Sequence, residues 1–352
     1  MRICVISYNV SPLIGGIETY SNFLIKYMSN QFDTTVLKPT FVFKNKIILI
    51  IELIIKSWIH LSFNSHHVVH VTNLNLWPIA LINLIKFNKV NFIFNIHGLE
   101  IVYRKKLNLK SLIYRMYVNR KLLNSLNISF ISNSMETQKL LKKELSIEST
   151  YIPMGVEKNE LNMNFDNYKE NQIFFLGRIV KRKGLDWFIK NILGEFKDMK
   201  LYVAGPIIDK KLKNFLSKHK NVIYLGILTD GEIKKLHQQS LFTIFPNIKT
   251  SNNNDFEGFG MTFIQAVSNG GIVLGSFYQG VISSSLNGKI GYLAEPNNSQ
   301  EWIIKINEII ELSSINRKNK ILNDQDLISK NFYWEIVFDK TVKEYKKLIT
   351  NS

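Results

Sequence analysis

Two short segments in the second half of the chain hold the residue types best suited to a charged ligand. The first is Leu176-Gly177-Arg178-Ile179-Val180-Lys181-Arg182-Lys183-Gly184. The second, Glu257-Gly258-Phe259-Gly260-Met261-Thr262-Phe263-Ile264-Gln265-Ala266, follows about eighty residues later. Each reads as a strand or loop feeding a helix start. Arg178 can grip a phosphate with parallel N–H groups, whereas Lys183 acts as a point charge. Gly258 and Gly260 permit close backbone approach. The amides of Gly260, Met261 and Thr262 would then point from a helix start toward an anion. Cations and amides for phosphate, with Glu257 for hydroxyls, describe a site for a nucleotide diphosphate carrying a sugar. Lys181 and Arg182 read as solvated surface charges, and the ring of Phe259 suits packing more than chemistry.

The first half supplies smaller pieces. Gly15-Gly16-Ile17-Glu18 follows the first strand-like run and opens a helix, so Gly16 could let backbone N–H groups approach a phosphate. A plain βα turn would use the same pair. The segment is not G-x-G-x-x-G, which counts against a dinucleotide-dependent oxidoreductase. Asn95-Ile96-His97-Gly98-Leu99-Glu100 closes another predicted strand and offers His97 and Glu100 at its end.

These residues need a scaffold, and the periodicity describes an α/β one. Short apolar runs at 2–7, 34–38, 67–72, 91–96 and 128–132 read as strands covered on both faces. Helical stretches lie between them at 17–29, 76–87, 109–126 and 135–145. The pattern weakens across 154–172, which reads as a linker. A second series follows at 173–176, 201–204, 222–225, 242–245 and 272–275. The expectation is two doubly wound, Rossmann-like domains, 1–165 and 166–330, and a final helical segment, 331–352. A chain of 352 residues with 45% hydrophobic content has material for two cores.

The net charge of +17 favours anionic partners and is somewhat denser before residue 165 (+10) than after it (+7). No nucleic-acid module accompanies it, so no nucleic-acid partner is expected. The single cysteine, Cys4, cannot form an intrachain disulfide and suits a reducing cytoplasm. The start at Met1 has no signal-peptide pattern. Residues 47–63 are strongly apolar but few, and Glu52, Lys56 and His60 interrupt them on one helical face. An in-plane or buried helix is expected there rather than a span. Residues 104–123 hold seven cations and no acid, with Leu109, Leu112, Ile113 and Met116 at helical spacing. That stretch reads either as a membrane-surface helix or as a core helix with a basic face. His66-His67 lacks metal-ligand spacing, and Asp324-Gln325-Asp326 follows a polar stretch instead of a core strand, so no metal site is expected.

The two C-terminal segments together resemble the donor site of the retaining glycosyltransferases of family 4. The likeness continues through 151–157, 201–206 and the helix at 333–349, so it spans almost the whole chain. It implies the GT-B fold, in which two Rossmann-like domains face across a cleft and a C-terminal helix crosses back to the first. It also implies a cytoplasmic enzyme at the inner face of the cell membrane, moving a sugar from a nucleotide diphosphate to a glycan, with no metal or other cofactor. The acceptor implied is a lipid-linked glycan of a surface-polysaccharide pathway such as lipopolysaccharide synthesis, and an anionic membrane surface is a further partner. By this resemblance Arg178 and Lys183 hold the diphosphate, assisted by Gly16 and the amides of Phe259, Gly260, Met261 and Thr262. Glu257 holds the sugar, His97 lies beside it, and Glu18 and Glu100 stand on the acceptor side. The family's second acid is expected at 265, where this chain has Gln265. A carboxamide can engage a ribose diol without charge assistance, at a cost on the order of 1 kcal/mol. A sugar-nucleotide epimerase of the same fold, or a non-catalytic binding protein, are the alternatives.

Overall fold

The computed structural model describes residues 1–10, 15–40, 45–86, 89–104, 108–126, 128–159, 168–250 and 255–350. They form two compact units, Met1–Gly155 with Trp334–Ser352, and Val156–Tyr333. The first change of unit thus falls ten residues before the 165/166 boundary drawn from composition. Its cause is local pairing: the Val156 N–H donates to the Phe332 carbonyl at 2.8 Å, and Val156 bridges Tyr333. The polar residues after 156 therefore belong to a chain already held by the second unit.

The first unit contains β1 (Arg2–Ile6), α1 (Gly16–Gln31), β2 (Asp33–Leu37), α2 (Lys46–Phe63), β3 (Val68–Val71) and β4 (Phe92–Ile96). It continues with α3 (Leu99–Tyr103), α4 (Leu109–Tyr117), α5 (Arg120–Ser125), β5 (Ile128–Ser132), α6 (Met135–Leu145) and β6 (Thr150–Tyr151). All strand pairs are parallel, in the order β2-β1-β3-β4-β5-β6. Two helical expectations change. The run at 76–87 is a 3-10 segment over Leu74–Leu84, with Pro78 inside it. Proline brings no N–H to the ladder and crowds the preceding turn, which works against an α-helix. The run at 109–126 breaks into α4 and α5 where the Asn119 side chain accepts from the Lys121 N–H and starts a new helix.

The second unit holds β7 (Lys169–Leu176), α7 (Leu185–Asn191), β8 (Lys200–Ala204), α8 (Lys210–Leu216), β9 (Val222–Gly226), α9 (Asp230–Gln239) and β10 (Ser240–Phe245). It ends with α10 (Met261–Ser268), β11 (Val273–Ser276), α11 (Gly280–Ser284), β12 (Tyr292–Ala294), α12 (Ser299–Ile310) and α13 (Ser314–Asn331). Its parallel sheet runs β12-β11-β10-β7-β8-β9, so the chain winds outward from β7 in one direction and from β10 in the other. The gap above the carboxyl ends of β7 and β10 is the switch point where ligands bind in such sheets. In the core, Ile173, Phe175, Val203, Phe242 and Trp302 are buried. The last helix, α14 (Trp334–Thr350), returns to the first unit, where Trp334 stacks on Phe23 with centroids 4.9 Å apart.

Candidate functional site

In the second unit, β7 ends at Leu176 and hands the chain to a tight loop. Lys181–Lys183 form a 3-10 turn, and Gly184 closes it with φ of 67°. A Cβ on Gly184 would stand 1.7 Å from the Pro246 carbonyl oxygen, so only glycine lets this loop lie against the end of β10. The contact brings Arg182 and Lys183 over the switch point. Glu257 arrives from the other side, on the segment leading to α10. Gly260 caps that helix at φ of 91°, and Phe263, Ile264, Ala266 and Val267 bury its inner face. The first amides of an α-helix have no partner within it, so those after Gly260 face outward as donors.

Charge dominates the centre. Glu257 Oε2 accepts from Arg182 at 2.5 Å, from Lys183 at 2.6 Å and from the Asn247 amide at 3.1 Å. The Glu257 N–H donates to Gln279 Oε1 at 2.7 Å, and the Gly280 N–H donates to the Glu257 carbonyl at 2.9 Å. Gln279 holds φ of 47°, an uncommon conformation for a non-glycine residue, and so fixes both bonds from one corner. Burial alone would push the Glu257 carboxyl up, but Lys183 and Arg182 together hold it well below the usual carboxylate range. Burial lowers Lys183, and Glu257 opposes that shift. The carboxylate therefore helps keep the nearly dry Lys183 charged.

This arrangement revises the reading of the basic loop. Arg182, expected at the surface, has a side chain only 11% exposed and shares Glu257 with Lys183. Lys181 does lie outside, paired with Asp186. Arg178 is exposed and makes no hydrogen bond or ion pair among the described residues. Two cations thus flank one carboxylate, Arg178 adds a third charge near Lys183, and the surplus charge is positive. Glu257 Oε1 accepts no hydrogen bond among the described residues. Gln265, Met261 and Thr262 are half-buried on α10, and the Gln265 side chain is likewise without a partner there. Phe259 is buried edge-on against Phe332 at 5.7 Å, a packing role. Asn247 and Gln279 escaped the sequence reading; a polar residue two positions past a core strand is the available signal for Asn247.

The first unit gathers its own residues at the carboxyl ends of β1, β3 and β4. His97 is buried, its N–H donating to Glu100 Oε1 at 2.6 Å and its Nε2 bonding the Thr72 carbonyl at 3.0 Å. That bond places the ring proton on Nε2, leaving Nδ1 as a buried acceptor without a partner among the described residues. Glu100 therefore holds the His97 backbone. Thr72 donates to Ser7 Oγ at 2.7 Å, the Asn9 N–H donates to the same oxygen, and the Asn9 amide donates to Glu18 Oε1 at 2.9 Å. Glu18 lies over Gly15, beside the exposed Gly16. Beneath them His70 is fully buried, with Tyr345 bonding Nδ1 at 2.5 Å and Asn95 accepting from Nε2. Tyr20 sets its ring edge-on to His97, 5.8 Å away.

Two metal readings can be placed. Asp324 is buried and taken by Lys320 and the Gly291 N–H, and Asp326 pairs with Lys330. His60 and His66 meet Cys4, with ligand atoms within 4.8 Å of one another, a proximity that spacing along the chain does not show. Burial pushes the Cys4 thiol up to about 12 and lowers both imidazoles.

Residues 157–324, which lie within the second unit, match the family described as Glycosyl transferases group 1. Over 276 residues the chain is 27% identical to an uncharacterized glycosyltransferase of Methanocaldococcus jannaschii, covering 77% of this chain and 73% of that protein. It is 25% identical over 229 residues to the capsular polysaccharide biosynthesis glycosyltransferase CapM of Staphylococcus aureus, covering 63% of this chain and 54% of CapM's length. The crystal structure of Anabaena HepE in complex with UDP and glucose is similar with a TM-score of 0.71 at 16% identity, covering 98% of this chain and 99% of HepE. The fold is GT-B, as the resemblance implied.

Proposed function

We propose that the protein is a retaining glycosyltransferase of the family 4 type, moving a hexose from a nucleoside diphosphate to a hydroxyl of a lipid-linked glycan. The observation that carries this reading is the Glu257–Arg182–Lys183 cluster at the switch point, with Arg178 free beside it. A departing nucleoside diphosphate gathers negative charge as its bond to the sugar breaks, and fixed cations stabilise that state. Arg178 and Lys183 receive the diphosphate together with the α10 amides, and Arg182 keeps Glu257 in place. The unused Oε1 of Glu257 accepts from a sugar hydroxyl, and Gln265 faces the ribose. These cations supply the countercharge, so the reaction proposed needs no metal. His97 contributes its Nδ1 acceptor to turnover rather than to nucleotide binding. The UDP complexes of HepE support a sugar-nucleotide donor, and CapM supports a surface-polysaccharide setting, which this reading puts at the inner face of the membrane.

The test is a thermal-shift and calorimetric screen against UDP-, GDP-, ADP- and dTDP-sugars, followed by product analysis with the donor that binds. Binding of one class, lost in Arg178→Ala, with transfer to an added glycan acceptor and retained anomeric configuration is the expected result. Conversion of the donor alone into its epimer would transfer the reading to an epimerase. Binding without turnover across a broad acceptor panel would make the protein a sugar-nucleotide receptor.

A further inference from the structure

The three polar residues that interrupt 47–63 do not face outward. Glu52 Oε1 accepts from the Thr40 N–H at 2.6 Å, Lys56 donates to the Lys38 carbonyl at 3.0 Å, and His60 meets His66. All three tie α2 to its own unit, while Leu49, Leu53, Ser57 and Leu61 enter the core. What remains outward is Ile47, Ile51, Ile55, Ile59 and Phe63, spaced four apart on one face, with Ile51 52% and Phe63 86% exposed. No charged side chain lies in this row. Beyond the helix, Lys86 donates to the Leu61 carbonyl at 2.6 Å, and its neighbour Ile85 is 84% exposed. Single exposed apolar residues are ordinary, but a whole helix face of them is not.

A second outward face has the same support. Leu109, Leu112, Ile113 and Met116 on α4 are all exposed, so the core-helix reading of 104–123 is overturned. Inward, the Tyr114 hydroxyl donates to Asn75 Oδ1 and the Tyr117 hydroxyl to the Asn75 carbonyl, both at 2.6 Å. Trp58 of α2 donates to the Pro78 and Ile79 carbonyls. Both helices thus hang from the stretch 75–79. Charge selects what could cover them. From residue 53 to 135 the sequence has ten cations and one acid, the buried Glu100. Lys105 and Lys106 lie outside the described residues, but Lys110 and Lys121 are exposed beside the apolar rows. No described helix is long and apolar enough to cross a membrane.

We propose that the outward face of α2 inserts in plane into an anionic lipid bilayer, with α4 as a second, cation-assisted contact. Apolar insertion holds the protein and charge guides it there. This sharpens the membrane-side setting proposed above, and it does not depend on catalysis, because vesicle binding needs neither donor nor acceptor. The experiment is cosedimentation of the full chain with phosphatidylcholine vesicles and with equimolar phosphatidylcholine–phosphatidylglycerol vesicles, at low and molar salt. Expected is stronger binding to the anionic vesicles, part of which survives molar salt. Ile51→Gln with Ile55→Gln replaces exposed side chains by good helix formers and should keep the helical circular dichroism. That variant should bind at least about tenfold more weakly in every condition. Lys110→Glu with Lys121→Glu should remove only the salt-sensitive part. Wild-type-like binding by the isoleucine variant overturns the proposal. So does absence of vesicle binding, including the case where sedimentation shows a dimer that the isoleucine variant abolishes, which would give the face to a second copy of the chain.

Discussion

The two units have sheets of the same size and strand direction, yet they treat polar groups at their strand ends in opposite ways. The first closes its polar groups into hydrogen-bonded chains, from Glu18 through Asn9, Ser7 and Thr72 to His97, over a buried His70. The second gathers charge: Arg182 and Lys183 share one carboxylate, and Arg178 near them has no ion-pair partner among the described residues. A network whose members are each other's partners holds shape in a dry interior, whereas surplus positive charge waits for an anion. On the function proposed above, the difference gives rigidity to one unit and donor affinity to the other.

Removing the carboxylate is the strongest way to break that contrast. Glu257→Ala leaves two nearly dry cations without their anion, so the second unit should lose about 3–5 kcal/mol, read by denaturant unfolding. An unchanged midpoint would mean the cluster is solvated and the comparison mistaken. Arg178→Ala should do the converse. With no partner to lose, stability should stay within about 0.5 kcal/mol. Turnover, measured as kcat/KM on the donor found by screening, should fall by roughly two to three orders of magnitude, or about 3–4 kcal/mol. Near-normal turnover would remove Arg178 from the phosphate site.

Acid should affect the units differently. Burial lowers His70 from 6.5 to about 4. The folded state keeps this ring neutral while the unfolded chain takes up the proton. Its stabilising share is therefore complete above pH 6.5 and is lost as pH falls toward 4, on the order of 3 kcal/mol. His237, lowered by burial to about 3, makes the second unit lose stability over a wider span. Glu257 adds to that loss once pH drops below the ordinary carboxylate value of 4.5. Hydrogen exchange at Val69–Val71 and at Phe174–Leu176 would separate the units; equal responses at pH below 4 would contradict this picture. The smallest expected effect is at position 265. Gln265→Glu should hold or raise nucleoside diphosphate affinity by up to about tenfold by calorimetry, and a severe loss would end the ribose assignment.

Strands were the legible part of the sequence, because a buried parallel strand is a short apolar run and little else mimics one. The Ile128–Ser132 strand and the Met135–Leu145 helix agree residue for residue with the reading. The two-residue β6 and three-residue β12 were too short to leave a pattern. Among site residues, type and spacing singled out Arg178, Lys183 and Glu257, but not which cation pairs with which acid. Arg182 looked like its neighbour Lys181, and only the closure at Gly184 decides that one turns in and the other out. The outward face of α2 was hidden for a similar reason. Periodicity put Glu52, Lys56 and His60 on one face without saying that this flank is held against the Lys38–Thr40 strand end and His66.

One consequence follows from the route of the chain. Residues 156–333 are contiguous, so a ribosome releases everything the second unit needs before α14 is made. The first unit must wait for Trp334 to reach Phe23 and for Tyr345 to reach His70, across 275 residues of sequence. Until then the β3 histidine lacks its tyrosine partner, and the slot beside Gly155 that the Trp334 indole fills stands open. Nascent-chain order therefore runs against sequence order: the later-encoded unit matures first, and the earlier one is sealed by its last helix.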